Sequence, residues 1–353
     1  MPQDSQQEPS VAPRSRGRRI RRIVVWSLAG ILVVCGVTAY ALYSHLNGNL
    51  SKVDIDAALG TDRPKNVDNG SQDILVLGSD SRSGANKGLA GGDTGGTARS
   101  DTAMVVHIPA GRAKATAVSI PRDTLVTRPE CTTEAGRKVP EAQRVMFNSV
   151  YTTAGPACVV KTVEKMSGIR MDHYVEIDFA GFKDLVDALG GVTVTTEQAI
   201  NDKDSGLSLD AGTHRLDGTR SLAFVRTRHG IGDGSDLGRI GLQQKFMLAL
   251  LSEIKNQGVL NSPTKLYAIA DAATKALTTD SGLGSLTSLA DFGKSLKGLN
   301  PDSMDTVMLP VAYDKKDPNR VVAAEPQAGD LWKALKADEP VPASAKKSPA
   351  QGG

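Results

Sequence analysis

The sequence has few of the residues on which several common kinds of site depend. It contains 5 histidines and 3 cysteines in 353 residues, and aromatic residues make up only 4% of it. His229 has no cysteine or histidine at ligand spacing, so the pattern argues against a zinc site. The net charge of +3 is close to balanced, so no broad basic field argues for nucleic-acid binding.

Two common catalytic motifs are also missing. The glycine-rich stretch SGANKGLAGGDTGGTA contains no G-x-x-x-x-G-K-[ST] phosphate loop, and we interpret it as a flexible lid or flap at most. The sequence has no G-x-S-x-G nucleophile elbow and no comparable Ser/His arrangement. It also shows no internal repeat. Charged residues are therefore the main functional signal that remains.

The N-terminal region joins an arginine cluster to a long apolar run. Arginines crowd the end of residues 1–22, and residues 23–43 (IVVWSLAGILVVCGVTAYALY) contain no acidic or basic side chain. A helix of about 20 apolar residues crosses a bilayer, so we predict a transmembrane signal-anchor. The positive-inside rule leaves the tail in the cytoplasm and the rest outside, as a single-pass type II membrane protein. The alternative is a cleaved signal peptide, because Ala39-Tyr40-Ala41 resembles a cleavage site.

The rest of the chain divides by composition. Residues 44–70 are predicted to form a polar stalk, residues 71–315 the main outer domain, and residues 316–353 a largely disordered extension. Cys35 lies in the predicted span, which leaves Cys131 and Cys158 as a candidate disulfide in an oxidising compartment. The alternative is two unpaired thiols that serve as small buried apolar side chains.

Apolar runs of strand length alternate with helical patterns along the outer domain. Strands are predicted at 73–80, 101–108 and 114–123, and the short turn PAGR joins the last two as a hairpin. The later predicted elements are a helix at 158–168, the strand HYVEID, the helix FAGFKDLVDALGG, the strand VTVTT, helices at 238–257, 263–276 and 284–297, and a strand at 304–311. This alternation predicts an α/β fold, a mixed twisted sheet with helices on both faces.

Charged residues fall at the ends of the first three predicted strands. Asp80 ends the first strand, Arg99 and Asp101 begin the second, and Arg122 follows the third. If the three strands are neighbours, these residues share one rim of the sheet. Two carboxylates there would suit Mg²⁺, which takes one or two carboxylates and leaves other positions for water and phosphate.

The stretch FVRTRHGIGDGSDLGRIGLQQ adds more positive charge. Arg226 and Arg228 are two residues apart and would point the same way if this stretch is extended. For any one acid–base pair, the alternative is a surface salt bridge, which contributes little. The clustering of several such residues is what favours a site.

Seven segments taken together resemble a known family. They are DILVLGSDSR, RSDTAMVVHI, SIPRD, FNSVYTTAGP, HYVEIDFAGFKDLVDALGGV, LDGTRSLAFVRTRH and DLGRIGLQQ. Their order and spacing, over about residues 73 to 257, resemble the LytR-CpsA-Psr family of cell-wall glycopolymer transferases. The resemblance implies an αβα layered domain that binds a polyprenyl-pyrophosphate-linked glycan, with the lipid in an apolar channel under the sheet.

The resemblance also implies roles for individual residues. Asp80 and Asp101 look like the Mg²⁺ ligands of the family. The positions that resemble the pyrophosphate clamp are Arg99, Arg122, Arg226 and Arg228, followed by Asp236, Arg239 and Gln243 as the remaining head-group positions. Asp236 is the candidate that would accept the proton of the acceptor hydroxyl.

The chain departs from the family pattern at two places. Leu242 stands where family members often have an arginine. His229-Gly230 begins a longer loop where an acidic residue often follows the paired arginines. These departures affect the outer part of the head-group site and the assignment of the base.

The implied activity is transfer of a phosphate-linked glycopolymer from its carrier to a cell-wall acceptor, with release of polyprenyl phosphate. Fixed arginines and Mg²⁺ can stabilise the charge of a diphosphate without a protein nucleophile. Two alternatives are a module that binds the lipid-linked glycan without turnover and a Mg²⁺-dependent pyrophosphatase in which water attacks. A transcriptional regulator ranks last, because the short N-terminal tail has no helix-turn-helix pattern.

Overall fold

The structure is a computed structural model that describes residues 16–79, 100–111, 114–228, 236–256, 262–296 and 298–351. Its contacts divide the chain into two units, residues 1–48 and residues 49–353. A helix from Ile20 to Asn49 is long and apolar enough to cross a membrane, with a mean hydropathy of 2.2 in its most apolar stretch. The predicted span at residues 23–43 lies inside this helix. A signal sequence passes the same test of length and composition.

The helices mostly lie where the sequence pattern predicts them. In chain order they are α1 (Arg16–Asn49), α2 (Ile55–Leu59), α3 (Phe147–Ser167), α4 (Phe179–Ala188), α5 (Gly218–Arg226), α6 (Asp236–Asn256), α7 (Pro263–Ala276), α8 (Leu286–Ser295) and α9 (Gln327–Lys336). Asp178, Asp217 and Ser262 each accept a hydrogen bond from a backbone N–H in the first turn of α4, α5 and α7. These caps explain why the three helices begin at those residues.

Most strands are short. They are β1 (Ser51–Val53), β2 (Gln72–Ser79), β3 (Ser100–Ile108), β4 (Thr116–Ser119), β5 (Leu125–Arg128), β6 (Cys131–Thr132), β7 (Lys138–Val139), β8 (Ala142–Met146), β9 (His173–Asp178), β10 (Val192–Thr196), β11 (Ile200–Asp202), β12 (Leu207–Leu209), β13 (Gly212–Leu216), β14 (Leu277–Asp280), β15 (Asp305–Met308), β16 (Val311–Tyr313) and β17 (Val321–Ala323). The strands HYVEID and VTVTT have their predicted bounds.

A central mixed sheet organises the unit of residues 49–353. Its strand order is β1-β14-β9-β2-β3-β4-β15. The neighbouring strands β2 and β3 are antiparallel, as are β3 and β4, whereas β9 runs parallel to β2. The predicted hairpin and the predicted mixed sheet are therefore confirmed, and so is the expectation that the first three long strands are neighbours.

One face of this sheet is sealed by α3, and we call it the α3 face. Leu75, Leu77 and Val105 point to this face and are fully buried. They belong to the largest apolar cluster, which also contains Val150 and Val159 of α3. Such close packing stabilises the fold, since each fully buried aliphatic side chain contributes about 1.5–3 kcal/mol.

The opposite face, which we call the α8 face, is packed more loosely. Val76, Val106 and Val175 on this face remain partly exposed. Phe292 and Leu296 lie over it, but no residue of α8 is buried. The sheet therefore keeps partly accessible apolar surface on this side.

The helix α3 begins 11 residues before the position predicted from its pattern. Gly155 inside it has φ 79° and ψ −176°, and Pro156 follows, so two helical pieces meet at a kink. Proline and a positive-φ glycine interrupt helical periodicity, which hid the first piece in the sequence. Cys158, just after the kink, forms a disulfide with Cys131. The predicted pairing is confirmed.

The predicted stalk at residues 44–70 is wrong. β1 pairs in parallel with β14 at the edge of the central sheet, and Ile55 and Leu59 of α2 are buried in the large cluster. Arg63 holds this segment to α3, because its Nη2 lies 2.6 Å from Oε1 of Glu164 and both side chains are only 2% exposed. A polar composition concealed these contacts, since they depend on partners far away in the chain.

The predicted disorder of residues 316–353 is also wrong over the described part. α9 packs against the large cluster through Leu331, Trp332 and Leu335, and Val341 and Ala345 after it join the same cluster. A few apolar side chains, spaced among Pro, Ser and Lys, are enough to pack this segment against the large cluster. Low hydrophobicity in the sequence did not reveal this docking.

Candidate functional site

The strands β2, β9 and β4 of the central sheet all end on the same side of the sheet. We call this side the carboxyl edge. β2 and β9 are parallel, so Ser79 lies opposite Asp178. β3 runs the other way and begins at the same edge, with Ser100 opposite Ser79. β4 pairs with β3 and ends at Ser119, so Arg122 follows at this edge. The edge thus gathers the chain segments that carry the predicted site residues.

Arg122 is held at the carboxyl edge by contacts of its backbone and its side chain. The backbone N–H of Asn148, at the start of α3, donates to the Arg122 carbonyl at 3.0 Å. The Arg122 Nε lies 3.7 Å from Oδ2 of Asp123, and the Arg122 side chain is 20% exposed. Oδ1 of the same carboxylate lies 3.4 Å from Nη1 of Arg320. Arg122 is therefore a partly accessible, fixed cation.

Arg226 is the last residue of α5. Its guanidinium carbon lies 5.1 Å from the ring centroid of Phe179, the residue that follows β9. This cation–π contact brings Arg226 to the carboxyl edge, next to the end of β2. The stretch is helical at Arg226, so the orientation expected for an extended Arg226-Thr227-Arg228 segment does not apply.

The backbone turns sharply after Arg226. The buried Thr227 caps α5 with ψ 133°, and its hydroxyl lies 2.9 Å from that of Ser205. The Arg228 N–H donates to Oδ2 of the buried Asp202 at 2.8 Å. These contacts fix the backbone around both arginines, so the sequence-predicted pair sits on a rigid turn.

The helix α6 connects the two arginine-bearing segments. Gln243 donates through Nε2 to the Val225 carbonyl at 3.1 Å, one residue before Arg226. The adjacent Gln244 donates through Nε2 to the Ser119 hydroxyl at 3.1 Å, three residues before Arg122. Arg239, one turn earlier on α6, is 4% exposed. One helix thus positions the segments of Arg122 and Arg226 relative to each other.

Some predicted site residues lie outside the described part of the chain. Asp80 and Arg99 are among them, as is the loop that begins at His229-Gly230. Asp101 lies in β3 and Asp236 begins α6, but the structure describes neither side chain. The described side chains include no cluster of three or more His, Cys, Asp or Glu residues suited to a metal.

A β-bulge interrupts the pairing of β2 with β3 at the carboxyl edge. Gly78 pairs with Thr102 and Ser79 pairs with Ser100, so Asp101 is the extra residue on β3. Bulges often lie next to active sites and redirect a strand or a side chain. Asp101 therefore lies at the bulge, and Asp80 follows Ser79 in the sequence.

The sequence reasoning missed a buried carboxylate beside this edge. Glu176 accepts a hydrogen bond from Tyr151 at 2.8 Å and from Tyr174 at 2.6 Å. Burial raises the pKa of both phenols, and Glu176 raises the pKa of each further, so both remain proton donors. The hydroxyl of Ser79 also bonds to Tyr151 and opposes that rise in pKa. The Glu176 partner Tyr151 lies on α3, 25 residues away, so the strand pattern alone did not reveal this carboxylate.

The fold and the segment order identify the family. Residues 42–337 match the profile of the family described as LytR_cpsA_psr. The chain belongs to the LytR-CpsA-Psr family. The earlier resemblance of seven segments is thereby confirmed, and so is the αβα layered fold that this family membership implied.

Two relatives show the extent of the sequence similarity. The chain is 32% identical over 316 residues to the cell wall biosynthesis protein LcpA of Corynebacterium glutamicum, and this covers 82% of the chain and 60% of LcpA. It is 31% identical over 301 residues to the polyisoprenyl-teichoic acid–peptidoglycan teichoic acid transferase TagT of Bacillus subtilis, covering 81% of the chain and 86% of TagT.

A solved structure described as TagT bound to LIIa-WTA superposes on this LytR-CpsA-Psr chain with a TM-score of 0.57. The two are 26% identical, and the superposition covers 79% of this chain and 95% of that one. The chain spans 60% of the length of LcpA.

The departure from the family pattern at Leu242 has a structural reason in this member. Leu242 is 7% exposed and belongs to a second apolar cluster with Phe224 and Phe246. That cluster packs α6 against α5 and β10. A charged side chain would be costly there without a partner, so this chain uses the position for packing.

Proposed function

We propose that the chain is a membrane-anchored phosphotransferase. It moves a phosphate-linked glycopolymer from a polyprenyl-pyrophosphate carrier to a cell-wall acceptor and releases polyprenyl phosphate. The observation that carries the proposal is the connection through α6 of the segments bearing Arg122 and Arg226 at the carboxyl edge. The relationship to TagT, whose name describes transfer of teichoic acid to peptidoglycan, supports the same activity.

The arginines have the chemistry that a diphosphate requires. A guanidinium group binds two phosphoryl oxygens at once, which an ammonium group cannot do. Arg226 is oriented by the Phe179 ring, and the backbone of Arg228 is fixed by Asp202. Because these groups are fixed before substrate binds, they stabilise charge in the transition state without reorganising. Arg99, Arg239 and Gln243 complete the head-group set in this proposal.

The transfer step needs no covalent intermediate with the protein. The oxygen of the acceptor hydroxyl forms a bond to the sugar-side phosphorus, and the bond from this phosphorus to the bridging oxygen breaks. Polyprenyl phosphate leaves with the electron pair of that bond. Asp236 is proposed to accept the hydroxyl proton, since it begins the helix that joins the two arginine segments.

The α8 face offers a place for the carrier lipid. Val76, Val106 and Val175 are partly exposed, and Phe292 and Leu296 pack against the same small cluster. Monomeric soluble proteins seldom leave contiguous apolar surface accessible without a use for it. A polyprenyl chain bound there would end at the carboxyl edge, where its diphosphate meets the arginines.

Asp80 and Asp101 are proposed to hold Mg²⁺. Asp101 is the bulged residue of β3 and Asp80 follows Ser79 in the sequence, and two carboxylates with room for water and phosphate oxygens fit the preferences of this ion. When bound, Mg²⁺ would polarise phosphoryl oxygens and neutralise part of the diphosphate charge.

The N-terminal helix is proposed to anchor the outer unit on the external side of the membrane. The arginine cluster before residue 23 favours a cytoplasmic tail. The Cys131–Cys158 disulfide supports an oxidising location for the outer unit. Protease added to intact spheroplasts should remove the outer unit, and full protection of a C-terminal tag would contradict this orientation.

Product analysis distinguishes the transferase from its two alternatives. The full chain in detergent micelles would be mixed with lipid-pyrophosphate glycan and peptidoglycan fragments, with and without Mg²⁺, and the products identified by mass. The proposal predicts glycan-phosphate joined to the fragment together with polyprenyl phosphate. Free glycan phosphate alone would indicate a pyrophosphatase, and an unchanged donor would indicate a binding module.

A further inference from the structure

An exposed, charged surface lies on the hairpin formed by β16 and β17. We call it the hairpin surface, and it consists of Tyr313, Lys315, Lys316 and Arg320, together with Arg144 from β8. Tyr313 is 49% exposed, whereas the other described aromatic side chains from residue 49 onward are buried or half-buried. Lys315 and Lys316 are both exposed. The surface therefore combines an accessible aromatic ring with several cations.

The hairpin surface is connected directly to the predicted diphosphate clamp. One carboxylate, that of Asp123, lies between Arg122 and Arg320, at 3.7 Å and 3.4 Å from their nitrogens. The backbone N–H of Val321 also approaches the Asp123 carbonyl, at 3.5 Å. A molecule bound on the hairpin surface would consequently lie next to Asp123, the carboxylate that Arg122 contacts.

Asp314 organises the first half of the loop that carries this surface. Asp314 pairs with both terminal nitrogens of Arg144, at 3.2 and 2.7 Å, and accepts from the backbone N–H groups of Lys316 and Asp317. The hydrogen bonds from Arg144 hold the pKa of Asp314 below its usual range. The two lysines are therefore presented on a preorganised turn, which lowers the entropy cost of binding.

The hairpin and the apolar surface proposed for the lipid lie on opposite sides of the sheet. Val311 and Val321 of the hairpin belong to the large cluster on the α3 face, whereas the partly exposed valines lie on the α8 face. In phosphoryl transfer, the attacking and leaving oxygens lie roughly in line with the phosphorus. If the lipid phosphate leaves toward the α8 face, the attacking hydroxyl must approach from the side of the hairpin.

From this geometry we propose that the hairpin surface binds the acceptor, an anionic glycan whose sugars carry carboxylate groups. The proposal rests on the transferase function proposed above. The Tyr313 ring supplies an apolar face with a polar tip for a sugar ring to stack on. Lys315 and Lys316 pair with the carboxylates of the glycan, and opposite charge guides its approach.

Charge reversal tests this assignment in the full chain in detergent micelles. The test variants are Lys315→Glu/Lys316→Glu and Tyr313→Ser, with Tyr313→Trp as the conservative replacement. The matched control is Lys65→Glu/Lys336→Glu, a second exposed lysine pair beside Asp73, at the opposite edge of the sheet. Steady-state transfer is measured with lipid-pyrophosphate glycan as donor and soluble peptidoglycan fragments as acceptor.

We expect the KM for the acceptor to rise at least tenfold in both test variants, and to stay near the wild-type value in Tyr313→Trp and in the control. The KM for the donor should not change. A raised donor KM would assign the surface to the donor glycan and overturn the proposal. An effect on the acceptor KM no larger than that of the control would also overturn it.

A binding measurement separates this proposal from the proposed function. Calorimetry with the peptidoglycan fragments alone should detect binding to the wild type and to the control, and at least tenfold weaker binding to the lysine variant. Equal binding to all three would overturn the acceptor surface even if transfer is observed. If wild-type protein binds the fragments as expected but never processes the donor, the transferase function fails and the binding surface stands.

Discussion

The guanidinium group of Arg226 stacks over the ring of Phe179, with 5.1 Å between the guanidinium carbon and the ring centroid. Phe179 begins α4 directly after β9, so the contact ties the end of α5 to the end of a central strand. An arginine that is oriented before substrate arrives loses less entropy when it binds a diphosphate. In the proposed transfer, the ring would act on the reaction through the arginine.

Removing the aromatic ring should weaken the clamp without unfolding the protein. Phe179→Leu keeps an apolar side chain but loses a cation–π contact of about 0.5–2 kcal/mol, which corresponds to about a 2- to 30-fold lower transfer rate. Phe179→Trp should retain most of the rate, because tryptophan also offers a ring face. Steady-state transfer by both variants checks this, and equal rates in Phe179→Leu and wild type would contradict it.

The buried pair of Arg63 and Glu164 should contribute strongly to stability. Arg63→Ala leaves the Glu164 carboxylate, 2% exposed, without its guanidinium partner, and such a loss costs about 3–5 kcal/mol. Arg170→Ala is the control, because Arg170 is 36% exposed and pairs with the exposed Asp56 at 3.6 Å. That surface pair should contribute less than about 1 kcal/mol. Urea unfolding that gives similar losses for both variants would contradict the assignment.

The Cys131–Cys158 bridge should affect stability more than activity. Its sequence separation is 27, and closing a loop of that length stabilises the folded state by about 3–4 kcal/mol in the chain-entropy description. The Cys131→Ser/Cys158→Ser variant should therefore melt at a lower temperature and keep its transfer rate well below the melting range. Mapping of peptides without reductant provides a direct check, and two alkylatable thiols in the native protein would refute the bridge.

His107 should make the docking of the C-terminal segment depend on pH. Burial lowers the pKa of His107, but hydrogen bonds to Asp73 at 2.9 Å and Asp338 at 3.0 Å outweigh this, so the pKa is raised. A raised folded-state pKa means that the stabilisation is complete below the unfolded value of about 6.5 and is lost as pH rises through the folded pKa.

The unfolding free energies of wild type and His107→Gln, measured at pH values below and above the folded-state pKa of His107, test the prediction. The difference between them should be largest at acidic pH and should shrink as the pH rises. A difference that stays constant with pH would show that the histidine does not act through its charge.

The central strands were predictable because each carries its own pattern. The apolar runs of β2 and β3, the alternation of HYVEID and the PAGR turn indicated the order and the hairpin without tertiary information. β1 and β14 were not predictable, since SKV and LTTD are short and polar and become strands by pairing with each other. The docking of α2 and of the C-terminal segment likewise depends on distant contacts.

The position of the candidate site, like the fold, was predictable from the sequence in part. Strand ends indicated where Arg122 would lie, and the family resemblance indicated Arg226 and Arg228. The roles of Gln244 and Glu176 were hidden, because each depends on a contact between elements far apart in sequence, 125 and 25 residues respectively. Side chains that link elements leave no periodic signal of their own.

The most direct test of the central claim compares Arg226→Lys with Arg215→Lys. Both changes keep the positive charge, but Arg215 lies on β13 and pairs with Glu253 at 3.0 Å. If Arg226 binds the diphosphate through two nitrogens, losing one charge-assisted hydrogen bond of about 1.5–3 kcal/mol should slow transfer about 10- to 150-fold. The Arg215→Lys rate should match the wild type. A wild-type transfer rate in Arg226→Lys would contradict the arginine clamp.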